Sequence, residues 1–173
     1  MDAVDRLTRL TREVPDFPEP GVLFRDLSPV LADAEAFAAV ADALAAPFAG
    51  RFDVVAVVEA RGFPFAAAIA VRHGVGLALI RKAGKLPGAR LTEEYALEYG
   101  SAALEVHVDQ VPAGSRILIV DDVLATGGTL GAAHRLAERA GWAVAGCSVA
   151  IEIVELGGRT SLQPHDVHSI ARV

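Results

Sequence analysis

RILIVDDVLATGGTLGAAHRLAERAG, Arg116 to Gly141, divides into four parts whose order decides the fold. Ile117 to Val120 is an uninterrupted apolar run rich in β-branched residues, the pattern of a strand buried on both faces. Asp121 and Asp122 close it. Thr126-Gly127-Gly128-Thr129 then makes a glycine turn, and from Gly128 the periodicity becomes helical until Gly141 stops it. Strand, acids, small-residue turn and helix follow one another with almost no linker.

The same grammar recurs upstream. FDVVAVVEA, Phe52 to Ala60, reads as a buried strand, GFPFAAAIAVRHG as a helix and VGLALI as a second buried strand. Together they span about thirty residues, the size of one βαβ unit. WAVAGCSVAIEIV, after Gly141, supplies another strand. All-apolar strands alternating with helices imply an α/β fold: an open, mostly parallel twisted sheet covered by helices on both faces. Residues 81–108 lie between the units, combining a basic, glycine-containing part with an alternating part, and predict a long flexible loop flowing into a hairpin. At the N-terminus, Val4, Leu7, Leu10 and Val14 recur at helical spacing before the proline-rich Pro15 to Gly21 ends the helix. LFRDLSPVL follows as an extended arm, and Asp33 is placed to N-cap a helix running to about Pro47.

At 173 residues, a single domain over 1–173 is expected. A net charge of −6 argues against a nucleic-acid binder, so any anionic ligand must meet a local basic cluster. Cys147 is the only cysteine, which fits a reduced, cytoplasmic setting and a strand-filling role. No apolar run approaches the ~20 residues needed to span a bilayer, so no membrane partner is expected.

Three motifs fall at strand carboxyl ends, where open α/β sheets bind ligands: Glu59-Ala60-Arg61-Gly62, Arg81 to Lys85, and Asp121 to Thr129. The Thr126 to Thr129 turn can aim backbone N–H groups and two hydroxyls at an anion on the positive end of a helix. It contains no lysine, and GxxxxGK[ST] and GxGxxG are both absent, so the common triphosphate and dinucleotide readings fail. A cradle of neutral donors suits one phosphomonoester. Two carboxylates beside a phosphate would repel it unless they face hydroxyls, and a sugar diol lying across the strand end satisfies both motifs. Arg61, Arg81, Lys82 and Lys85 then imply a second phosphate group.

These residues carry a family resemblance. IVDDVLATGGT resembles the phosphoribosyl-pyrophosphate (PRPP) motif of the type I phosphoribosyltransferases. PDFPEPGVLFRDLSP, EARGF, RKAGKLPG and EEYALEYG resemble, in the same order, the adenine-specific branch of that family, from about Val14 to Arg159. The resemblance implies the type I fold with a small hood over the base, formed by segments of about 14–32 and 152–173. It implies transfer of 5-phosphoribose from PRPP to adenine, giving AMP and pyrophosphate with Mg2+, in a homodimer whose partner subunit contributes some basic residues. By matching position, Asp121 and Asp122 would hold the ribose hydroxyls and Ala125, Thr126, Gly127, Gly128 and Thr129 the 5-phosphate. Arg61, with the Glu59, Ala60 and Gly62 backbone, would hold pyrophosphate with Arg81, Lys82 and Lys85, and Tyr99 would join the PRPP site. Leu23, Phe24 and Arg25 would form the base hood, Phe24 stacking on adenine and Ile153 covering its other face. Glu98 would handle the purine proton, and Arg61 would assist catalysis.

Glu93, Glu94 and Glu105 read as solvated hairpin carboxylates, and the five histidines as surface or helix-packing residues. Two features depart from the family pattern: Pro64, in the first turn of its helix where proline is tolerated, and a short polar tail, LQPHDVHSIARV. A 6-oxopurine transferase and a non-catalytic PRPP sensor are the competing readings. The sensor would need an appended nucleic-acid module that 173 residues of negative net charge do not provide.

Overall fold

The computed structural model describes residues 1–96 and 101–173. Helix α1, Ala3–Leu10, begins where the Asp2 carboxylate accepts the Asp5 N–H at 2.8 Å. It ends before Val14. Arg12–Pro15 is strand β1, paired antiparallel with β2, Leu23–Asp26, in a separate two-stranded ribbon. The helical spacing that included Val14 therefore runs one turn too far. Helix α2, Ser28–Ala32, interrupts the expected extended arm, and α3, Ala34–Ala45, starts as predicted with Asp33 accepting the Ala36 N–H at 2.9 Å.

The main sheet is built from β3 (Val54–Val58), α4 (Phe63–His73), β4 (Gly76–Lys82), β5 (Arg90–Ala96), β6 (Ser101–His107), β7 (Arg116–Leu124), α5 (Gly128–Arg139) and β8 (Ala143–Glu152). The four-residue α6, Gly158–Ser161, and β9, Val167–Arg172, complete the chain. Strand order is β5-β6-β4-β3-β7-β8-β9, parallel from β4 to β9, with β5 and β6 added antiparallel as the predicted hairpin.

The apolar runs are explained by two cores, one on each face. In β3, Val55 and Val57 pack with Phe48, Phe65 and Ile69 on the α3–α4 side, while Ala56 and Val58 pack with Leu130, Ala133 and Leu136 beneath α5. In β7, Leu118 and Val120 join the first core, Ile117 and Ile119 the second. Each strand is apolar at every position because side chains alternate between two dry faces. Truncating a buried phenylalanine such as Phe65 would cost about 3–5 kcal/mol.

Of the two segments expected to make the hood, the N-terminal one forms the β1–β2 ribbon. In the C-terminal one, β9 joins the sheet edge, pairing parallel with β8. Buried Glu152, at the end of β8, is held by Arg159 and by Ser169 and Arg172 of β9.

Candidate active site

Strands β3 and β7 are neighbours, and their crossovers leave in opposite directions, α4 to one face and α5 to the other. The sheet order reverses between them, which opens a crevice at their carboxyl ends. The EARG turn and the DDVLATGGT run both emerge there. They pack so closely that a Cβ on Gly62 would lie 2.9 Å from Val57 Cγ2 and 3.1 Å from Asp121 Cα. Glycine at 62 is what lets the two motifs touch.

The crevice is a cavity of about 630 Å3 lined by Glu59, Ala60, Arg61, Lys82, both aspartates and every residue from Val123 to Leu130. Gly127, at φ +85°, turns the chain into α5, so the first N–H groups of that helix converge on the cavity. Asp121 turns its Oδ1 back to accept the Asp122 N–H at 2.9 Å. Burial, and then the adjacent Asp122 charge, push its pKa well above the usual carboxylate range. Asp122 is itself buried and receives Arg61 Nε at 2.8 Å. The glutamate of the turn, Glu59, is held below its ordinary pKa by the Arg81 guanidinium and by the Lys82 N–H at 3.0 Å. The Glu59-Ala60 peptide bond is cis.

A smaller cavity of about 140 Å3 adjoins the first, sharing Ala60, Arg61 and Asp122 and bounded otherwise by Phe24, Arg25, Asp26, Leu27, Ser28, Leu31 and Pro64. Phe24 is the one aromatic in that lining. Its ring packs edge-on against Phe17 at 5.1 Å, and the Arg61 guanidinium lies 5.0 Å from its centroid. Pro64 sits in the first turn of α4, where it leaves no helical carbonyl unpaired.

Most of the predicted site residues thus meet in two adjoining cavities, with three differences in placement. Arg61 is engaged by Asp122 and Phe24 and bridges the cavities. Of the basic loop only Lys82 lines the larger cavity; Arg81 turns to Glu59, and Lys85 is exposed outside the lining. Leu23, Gly62 and Ile153 line neither cavity. Glu98 and Tyr99 lie outside the described residues.

Other residues went unrecognised in the sequence. Tyr95 lines the larger cavity, its hydroxyl 3.5 Å from Thr129 Oγ1. The period-two alternation of β5 was the available signal, since it puts Leu91, Glu93 and Tyr95 on one inward face. Glu93 is no solvated carboxylate: Arg135 Nε and Arg139 Nη1 of α5 approach it at 2.7 and 2.6 Å, the Arg135 bond chiefly lowering its pKa. Glu105 is also buried, accepting from Arg90 at 3.0 Å and from the Gly84 N–H at 3.0 Å. Only Glu94 of the three stays exposed. Among the histidines, His134 is buried on α5 and stacks on His165 with ring centroids 3.5 Å apart.

The arrangement offers two acidic acceptors, a neutral N–H cradle a few residues away and a cationic wall on one cavity, with an aromatic slot beside it. It can bind a phosphorylated sugar and a flat ring side by side.

Known proteins match this architecture along nearly its whole length. The model of the phosphoribosyl transferase domain matches residues 29–168. The adenine phosphoribosyltransferase of Renibacterium salmoninarum is 58% identical over 169 residues, covering 98% of this chain and 93% of its own. The crystal structure of adenine phosphoribosyltransferase from Thermoanaerobacter pseudethanolicus is 45% identical, with a TM-score of 0.94, covering 98% of this chain and 99% of its own. That of the Saccharomyces cerevisiae enzyme, complexed with an imino-altritol bisphosphate and adenine, is 35% identical with a TM-score of 0.91, covering 97% and 98%. With the fold, the two cavities and these relatives in agreement, the chain belongs to the adenine phosphoribosyltransferases, a branch of the phosphoribosyl transferase domain family.

Proposed function

We infer that this chain transfers the 5-phosphoribosyl group of PRPP to adenine, forming AMP and pyrophosphate in purine salvage. The observation that carries the reading is the junction of the cavities: the aspartate pair and the phosphate cradle line one, Phe24 lines the other, and Arg61 and Asp122 belong to both. A sugar held by the aspartates would present its C1 toward a ring stacked on Phe24.

In this reading Asp121 and Asp122 accept the ribose hydroxyls, and Ala125 to Thr129 hold the 5-phosphate through backbone N–H groups and the two threonine hydroxyls. Breaking the C1–pyrophosphate bond leaves an oxocarbenium-like sugar and a highly charged leaving group, so positioning and electrostatic stabilisation carry the catalysis. Lys82 faces the cavity as one countercharge to pyrophosphate. Arg61 becomes another by turning from Asp122, which the ribose hydroxyls would then occupy. Glu98 is assigned the purine proton, general acid–base help worth about a hundred- to ten-thousandfold.

Magnesium fits the donor chemistry. The described residues hold no group of three or more His, Cys, Asp or Glu able to cage an ion, and Mg2+ binds readily through substrate phosphates and retained waters. Asp121 and Asp122 would be the protein groups beside it, and when bound it would neutralise leaving-group charge. A cytoplasmic homodimer completes the proposal. No described helix is long and apolar enough to cross a membrane, and the exposure of Lys85 is compatible with one subunit lending it to another.

Incubating the protein with PRPP, Mg2+ and each purine in turn tests the assignment. AMP from adenine, with no product from xanthine or guanine, is expected; product from the oxopurines alone would reject the base assignment, and no product from any base would favour a sensor.

A further inference from the structure

The phosphate cradle rests on the C-terminal turn, a part of the chain that the motifs do not include. Ser161, in α6, donates its hydroxyl at 2.7 Å to the Thr126 carbonyl, with the Gly158 carbonyl also in reach at 2.8 Å. Two glycines make the approach possible. A Cβ on Gly127 would collide with Ser161 Oγ, and one on Gly158 would collide with the Ala125 carbonyl. Behind them, Leu162 is buried in the core beneath α5, and Arg159 ties the turn to Glu152 at the end of β8.

The planarity of the peptide unit turns this contact into an orientation. In a trans peptide the carbonyl of one residue and the N–H of the next point in opposite directions. Whatever holds the Thr126 carbonyl toward α6 also aims the Gly127 N–H the other way. Ser161 lies outside the cavity lining and Gly127 lies in it, so the other way is into the cradle. Gly127 sits at φ +85°, with no side chain to restrict rotation of that peptide. A neutral cradle without lysine depends on the aim of each N–H, because no flexible cation can compensate for a misdirected donor.

We propose that Ser161 is a positioning residue for the 5-phosphate, holding the Thr126–Gly127 peptide so that its N–H faces the phosphate. The proposal rests on the reading that this cradle takes the 5-phosphate of PRPP. Loss of one ordinary neutral hydrogen bond corresponds to about a fivefold change in affinity.

The test compares wild type, Ser161→Ala and Ser161→Thr. Calorimetry is used for ribose 5-phosphate and for pyrophosphate, and steady-state kinetics for PRPP and adenine. Ser161→Ala should weaken ribose 5-phosphate about fivefold and raise the KM for PRPP by a similar factor. Pyrophosphate affinity, the KM for adenine and kcat should each stay within twofold, and Ser161→Thr, which restores the hydroxyl, should return ribose 5-phosphate affinity to within twofold of wild type. Unchanged ribose 5-phosphate affinity in Ser161→Ala, an equal loss for pyrophosphate, or no rescue by threonine would each overturn it. Because ribose 5-phosphate binding is read directly, these outcomes stand apart from failure of wild type to form AMP, which would count against the proposed activity.

Discussion

Replacing Asp121 with asparagine should move activity and stability in opposite directions. The substitution keeps the shape of the side chain and an Oδ1 able to accept the Asp122 N–H, now 2.9 Å away, but removes one negative charge from the crevice. For the sugar, a charge-assisted hydrogen bond becomes a neutral one. Bonds to charged groups exceed neutral ones by about 1–1.5 kcal/mol, and at 1.4 kcal/mol per decade kcat/KM for PRPP should fall roughly 5- to 12-fold. For the fold the sign reverses. Burial and the Asp122 charge raise the Asp121 pKa, so the folded chain holds this proton more tightly than the unfolded chain. Stability is favoured below the ordinary carboxylate pKa of about 3.9 and is lost as pH rises through the higher folded value. Asparagine cannot ionise and escapes that loss. Urea denaturation at pH 4 and pH 8 should show the variant gaining on wild type as pH rises, with kinetics on the same preparation showing the drop. A variant less stable than wild type at pH 8, or one keeping kcat/KM within threefold, would refute the reasoning that this half-buried charge is retained for the substrate at the expense of the fold.

Phe24→Ala should raise the KM for adenine about tenfold while leaving that for PRPP within twofold, since stacking a base on an aromatic ring is worth about 1–3 kcal/mol; parallel changes in both constants would remove Phe24 from the base site. Gly62→Ala forces a Cβ into the 2.9 Å and 3.1 Å gaps to Val57 and Asp121. It should cost about 1–3 kcal/mol in chemical denaturation and lower kcat/KM for PRPP at least tenfold, and a fully active, fully stable variant would mean that the two motifs need not touch. His134 has its pKa lowered by burial first and by His165 next, so the unfolded chain takes up this proton before the folded one does. Stability should therefore decline as pH falls through about 6.5, and His134→Phe, which keeps an aromatic ring against His165, should flatten the decline between pH 7.5 and 5.5 in thermal melts; an unaltered slope would clear His134 of it.

The parts of the molecule legible in the sequence are those whose cause is local. Ile117 to Val120 had to be covered on two faces because no position in the run is polar, and the two cores bear this out. Asp33 announces a helix within four residues of itself. The misreadings have causes that lie farther along the chain or below the resolution of periodicity. Val14 continues the spacing of Val4, Leu7 and Leu10, yet pairing with Phe24 makes it a strand residue. Helix α2 has only five residues, too few for a helical period to emerge. Glu93 looks solvated until Arg135 and Arg139, more than forty residues on, close over it. Arg61 is suited by type and place to hold a phosphate, and that it also engages Asp122 and Phe24 depends on how the ribbon and the sheet meet. Nothing near Ser161 in sequence points to Thr126.

Arg61 has further consequences for how the two substrates interact. One guanidinium meets both Asp122, proposed for the sugar, and the ring of Phe24, proposed for the base, so in that reading occupancy of one cavity alters what the other must displace. Such a shared element couples the sites thermodynamically. Whatever factor PRPP imposes on the affinity for adenine, adenine must impose on the affinity for PRPP. Any asymmetry between the two substrates must therefore be kinetic, arising from which of them reaches the cleft first.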